Sequence, residues 1–149
     1  METGNDTLRA YCTLDRIDHA DTHLVVADRA DRMTPESWAR EILEGPPAVT
    51  RARLTAGWTM LGLRVHHRGP DAIAGWPIAC RDAEHVRLQG DSLIGLTGQL
   101  ITRATGAGVE FATFVQLGNP MARALWAKVL PTHLEIVDSL LRRAAERAG

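Results

Sequence analysis

Apolar and polar positions recur with two different periods along this chain, and the change of period divides it. Within residues 14–27, Leu24-Val25-Val26-Ala27 is a compact apolar run and predicts the core of a first strand. The charged run Asp28-Arg29-Ala30-Asp31-Arg32 ends it. A helix start follows, with Thr34 as the cap, Pro35 at the first helical position and Glu36 near the positive end of the helix dipole. Trp38, Ile42 and Leu43 supply an apolar stripe, and Gly45-Pro46-Pro47 stops the helix. A second helix is predicted over 48–60, with Val49, Ala52, Ala56, Met60 and Leu61 on one side and Gly62 as its stop.

The period then shortens. Residues 64–76 fit either a strand or a lid, because Gly69-Pro70-Asp71 marks a turn and Gly75-Trp76-Pro77 suits a central strand poorly. Over 85–89, Val86 and Leu88 share a face, and Gly90-Asp91 reads as a tight turn. Over 93–103, Ile94, Leu96, Leu100 and Thr102 share a face. After the turn at 105–108, Val109, Phe111, Thr113, Val115 and Leu117 point one way and Glu110, Ala112, Phe114 and Gln116 the other. Short glycine turns between such segments predict an antiparallel meander.

The last element is a helix capped by Asn119, opened by Pro120 and running to about Ala148. Its apolar stripe is Met121, Leu125, Trp126, Val129, Leu130, Ile136, Val137, Leu140, Leu141 and Ala144, and Pro131 is expected to kink it. Such a helix spans roughly 40 Å and must bury its stripe, for which the meander offers one apolar face. The expected fold is therefore α+β: a curved antiparallel sheet wrapped around a long C-terminal helix, with two short helices after the first strand. Residues 1–149 read as a single domain whose polar start, 1–8, is expected to be loose.

Composition narrows the function classes. The chain has 149 residues, 45% hydrophobic and 23% charged, with a formal net charge of -1. Near neutrality argues against nucleic acid or an anionic membrane as a partner reached by bulk electrostatics. Arginine supplies 16 of the 17 basic residues, scattered among acids as in Arg29-Ala30-Asp31-Arg32, which fits a solvated surface better than a recognition patch. Cys12 and Cys80, without a CxxC pair, suit a reducing compartment, and the acidic start is unlike a signal peptide. The expectation is a soluble, cytoplasmic protein without a membrane span.

Several short segments carry a resemblance. Asp18-His19-Ala20-Asp21-Thr22-His23 precedes an acidic-capped helix containing Trp38, and the closing helix carries Trp126, then Pro131-Thr132-His133, Ile136-Val137 and Arg142-Arg143. Together with the order strand–helix–helix–meander–long helix, these resemble the START-like, polyketide-cyclase-like (SRPBCC) superfamily, in a bacterial branch of unknown function. The resemblance spans residues 14–146. It departs from that pattern where His19 and His23 stand in place of aromatics, and where four or five strands are legible instead of seven. What it implies is the helix-grip fold and a pocket between the long helix and the sheet. Members of the superfamily bind lipids, sterols or polyketides, and some are cyclases or dehydratases. No catalytic motif is shared among them, and fold analogy is a weak warrant for function.

The candidate chemistry centres on histidine and tryptophan. His19, Asp21 and His23 lie at i, i+2, i+4 and would share one strand face, as a metal site requires. With Leu24 and Val26 on the buried face, however, the trio is expected in solvent, so no metal site is assigned. His66 and His67, being adjacent, would point to opposite faces of a strand. His133 follows the proline in the long helix; it can exchange a proton with a ligand, or its ring can bond a backbone carbonyl freed by Pro131. Trp126 fits core packing and pocket lining equally well.

The leading expectation is binding of a hydrophobic small molecule, without a cofactor, against Phe111, Thr113, Trp126, Leu130 and His133. The alternative is a cofactor-free cyclase or dehydratase with His133 as the catalytic acid–base. A third is an interaction module with no pocket, for which residual apolar surface would favour a homodimer.

Overall fold

A computed structural model describes the backbone of residues 3–148 and the side-chain surroundings of 7–148. The order is α1 (Thr3–Tyr11), β1 (His19–Val26), a 3-10 turn (Ala30–Arg32), α2 (Pro35–Glu44), α3 (Ala48–Met60), β2 (Ala72–Ile73), β3 (Trp76–Arg81), β4 (His85–Asp91), β5 (Leu96–Ala104), β6 (Gly108–Leu117) and α4 (Pro120–Ala148). All six strands form one antiparallel sheet in the order β1-β6-β5-β4-β3-β2. The long helix α4 packs on it, so the expected α+β layout with a sheet gripping a C-terminal helix is the one observed.

The inner layer follows from the alternation in β4, β5 and β6. Val86, Leu88, Leu96, Leu100, Val109, Phe111, Val115 and Leu117 all join one core with α2 and α4. In α2, Thr34 accepts a hydrogen bond from the Ser37 amide, Trp38, Ile42 and Leu43 are buried as the stripe predicts, and Ala39 is buried with them. Asn119 caps α4 by accepting from the Ala122 amide, and its side-chain amide also donates to the Ile94 carbonyl. Gly95, at φ +92°, makes room there, since a Cβ would sit 2.3 Å from the Asn119 amide nitrogen.

Several expectations are corrected. Residues 3–11, which overlap the start 1–8 expected to be loose, form α1, and Leu8 packs on Ile101, Ala112 and Phe114 across the outer face of the sheet. Gln99 is fully buried on that face, accepting from the Thr13 amide and donating to Thr13 Oγ1 and Gln89 Oε1. Gly90 and Asp91 are not a turn but the end of β4, paired with Gly98 and Thr97. The indole of Trp76 lies over this glycine pair, and a Cβ at Gly90 would meet its ring. In α3, Val49, Ala52, Ala56 and Met60 are exposed and the buried residue is Leu54, with Trp58 packed beside it; of the predicted side, Leu61 at the helix end is the residue that enters the core. Met121 is likewise exposed in α4.

His66 and His67 are exposed, and Cys12 and Cys80 are free thiols. No described helix is long and apolar enough to cross a membrane.

Candidate functional site

The first strand faces the opposite way from its expectation. Leu24 and Val26 are 62% and 81% exposed, whereas the side chains of His19, Asp21 and His23 are only 17%, 10% and 16% exposed. The cause is the register with β6, the neighbour of this edge strand. His19, Asp21 and His23 are the partners of Val115, Thr113 and Phe111, the inward column of β6. Directly opposed residues share a face, so the polar trio turns toward α4 and the apolar pair turns out.

From α4 come Trp126 and His133, seven residues apart and therefore on one side of the helix. Helix α4 runs on through Pro131, whose missing N–H leaves the Ala127 carbonyl without its ladder partner. His133 does not turn back to a carbonyl. Its Nε2 lies 3.0 Å from Asp21 Oδ2, which also receives His19 Nε2 at 2.6 Å, while Asp21 Oδ1 receives His23 Nε2 at 2.8 Å. Three imidazole Nε2 atoms thus converge on one carboxylate. Burial alone would push the Asp21 carboxyl up, but the bonds from His133, His19 and His23 outweigh it and hold it well below the usual carboxylate range.

Trp126 fixes two of these rings. Its indole is 5.0 Å from the His19 ring at 60° and 5.2 Å from the His133 ring at 57°. Tilted contacts of this kind pack aromatic edges against faces and limit ring rotation.

His133 joins the cluster to an apolar cavity of about 110 Å³ between α3, α4 and the sheet; His19, Asp21 and His23 lie behind its lining. Phe111, Thr113, Trp126 and His133 all line it, but Leu130 does not; it is half-buried and packs beside the core instead. Trp58 and Trp76, edge to face at 5.6 Å, line the cavity as well. Three buried polar atoms of lining residues have no hydrogen-bond partner among the described residues: Trp76 Nε1, Trp126 Nε1 and Thr113 Oγ1. Such atoms are rare in folded proteins and each costs free energy until it is paired.

His19, Asp21, His23, Trp58 and Trp76 are thus site residues that the sequence reading left out. The trio carried a usable signal in its i, i+2, i+4 spacing; what concealed it was the assumption that Leu24 and Val26 face inward. The donor set suits two kinds of chemistry: a carboxylate-oriented imidazole for proton exchange, or nitrogen and oxygen ligands for a metal ion. No protein-family model matches this chain, and comparison with curated proteins and with solved structures gives no match either.

Proposed function

We propose that this protein binds a small, largely apolar molecule bearing a hydrogen-bond acceptor, held in the cavity between α4 and the sheet. The observation that carries this reading is the coincidence of three unpartnered polar atoms, from Trp76, Trp126 and Thr113, in the lining of one apolar cavity. An acceptor oxygen reaching either indole N–H would remove a desolvation penalty of about 1–3 kcal/mol while the rest of the ligand buries apolar surface.

Size limits the ligand. A cavity of about 110 Å³ is smaller than the ~150 Å³ that accommodates benzene, so it takes a compact ring or a short acyl chain. Sterols and fused polyketides of the START-like superfamily would need α3 to move outward. That helix is fastened chiefly through Leu54 and Trp58, which makes it the wall that can give.

A thermal-shift screen of aromatic and short-chain ketones, acids and alcohols against matched hydrocarbons tests the proposal. At 100 times its dissociation constant a ligand adds ~2.7 kcal/mol, a shift of several degrees. Acceptor-bearing compounds should outperform their hydrocarbons, and the double variant Trp76→Phe/Trp126→Phe, which keeps both rings but loses both indole donors, should erase that advantage. A flat response over the panel removes the proposal.

The Asp21–His133 pair favours a second reading, a cofactor-free enzyme in which His133 exchanges a proton with a carbonyl substrate. Under it, His133→Ala abolishes turnover but spares affinity; a pure binder loses little of either.

A further inference from the structure

The convergence of imidazoles behind the cavity wall, to which His133 belongs, exceeds what a structural carboxylate needs. One or two donors satisfy a buried Asp; here three rings from two elements direct the same atom, Nε2, at it. A ring nitrogen of His19, one of His133 and an Asp21 oxygen lie within 4.8 Å of one another. A tetrahedral ion bound at ~2.0–2.1 Å spaces its ligand atoms by roughly 3.3–3.4 Å, so small shifts of side chains already facing one point would seat it.

From this geometry we infer that His19, Asp21 and His133 form a binding site for a divalent first-row transition ion, with an open coordination position toward the apolar cavity. Neutral imidazoles with one carboxylate suit zinc, cobalt or ferrous iron, and a single oxygen-donor residue disfavours calcium and magnesium. Two of the ligands, His19 and Asp21, are locked in register by the β1–β6 ladder, and the third is delivered by α4. Trp126 packs against both histidine rings and holds their planes. His23 lies outside the ligating trio; its bond to Oδ1 orients the carboxylate, making it a positioning residue of the outer shell. With one carboxylate the occupied site carries net positive charge, which would draw an anionic or carbonyl oxygen from a molecule in the cavity.

A second grouping, Cys80, Asp82 and His85, is weaker. Asp82 there is half-exposed and already accepts the backbone amides of Glu84 and His85.

The inference does not depend on a cavity ligand, because it is tested with the metal alone. Chelator-stripped protein is titrated with Zn²⁺ by calorimetry and with Co²⁺ by visible absorption. Wild type is compared with His19→Ala, His133→Gln and His23→Ala, with His66→Ala/His67→Ala and Cys80→Ser as controls away from the site. Each variant is first shown to be folded by circular dichroism and melting. Expected are one ion per chain and four-coordinate Co²⁺ bands. Affinity should fall by more than the ~10–100-fold typical of an outer-shell change in His19→Ala and His133→Gln, fall less in His23→Ala, and stay unchanged in the controls. Zinc X-ray absorption on wild type needs no variant and should count two imidazoles. Absence of saturable binding, binding undiminished in His133→Gln, or binding lost in a control variant would each overturn the inference.

Discussion

Asp21 on β1 and His133 on α4 are 112 residues apart in the chain and meet at 3.0 Å. Together with the bonds from His19 and His23, this contact compensates a carboxylate whose side chain is 10% exposed. Replacing Asp21 by Ala removes the shared acceptor of three imidazoles. A loss on the order of 3 kcal/mol is expected, measurable as a lower urea midpoint with an unchanged m-value. A loss under about 0.5 kcal/mol would mean the cluster contributes little to the fold.

The facing of β1 can be tested without the cluster. Leu24 and Val26 point outward, so Leu24→Ser and Val26→Thr should each change stability by no more than about 0.5 kcal/mol. Were they core residues, as the apolar run alone suggests, truncation would cost about 2–5 kcal/mol.

Trp76 and the glycine pair beneath it give a contrast between neighbours. A Cβ at Gly90 would lie 2.8 Å from the Trp76 ring, and one at Gly98 would lie 3.5 Å away, an ordinary contact. Gly90→Ala should therefore cost ~1–3 kcal/mol through displacement of the indole, whereas Gly98→Ala should be close to neutral. Thermal unfolding of the two variants side by side decides it, and Trp76 fluorescence should change only in Gly90→Ala.

Much of this architecture is legible before folding is considered. Helix α2 announces itself because cap, proline and stripe agree, and β6 because five inward and four outward positions alternate without a break. The pocket positions Phe111 and Thr113 follow from the alternation of β6 and Trp126 from the stripe of α4, whereas His133 stands out only by its place after Pro131. What was hidden depends on tertiary pairing. The facing of β1 is set by its register with β6, and four consecutive apolar residues have no parity of their own. In α3 the apolar residues are spread around the helix, so burial of Leu54 is decided by what it meets. Leu130 fits the apolar stripe of α4, yet it lies just off the cavity because neighbouring stripe positions face different walls.

Acid should act visibly at the β3–β4 turn. The backbone amides of His85 and Glu84 bond Asp82 and hold its carboxyl below the ordinary value of 3.8. With the folded value depressed, the unfolded chain takes up the proton first. The stabilisation is complete above pH 3.8 and is lost as pH falls through the folded value. Wild type and Asp82→Ala should therefore differ most in urea midpoint at neutral pH and converge below that window. A gap that widens in acid would contradict the assignment.

The position of β1 in the sheet has a consequence for how the chain is made. Its ladder neighbour, β6, is translated some 80 residues later, and α4, which covers its inner face, later still. At ~5–20 residues per second, His19 to Val26 must wait several seconds on the ribosome with the strand edge bare on both sides. The segment that carries His19, Asp21 and His23 is thus synthesised before both of the elements that bury it, and its polar inner face stays uncovered until they emerge.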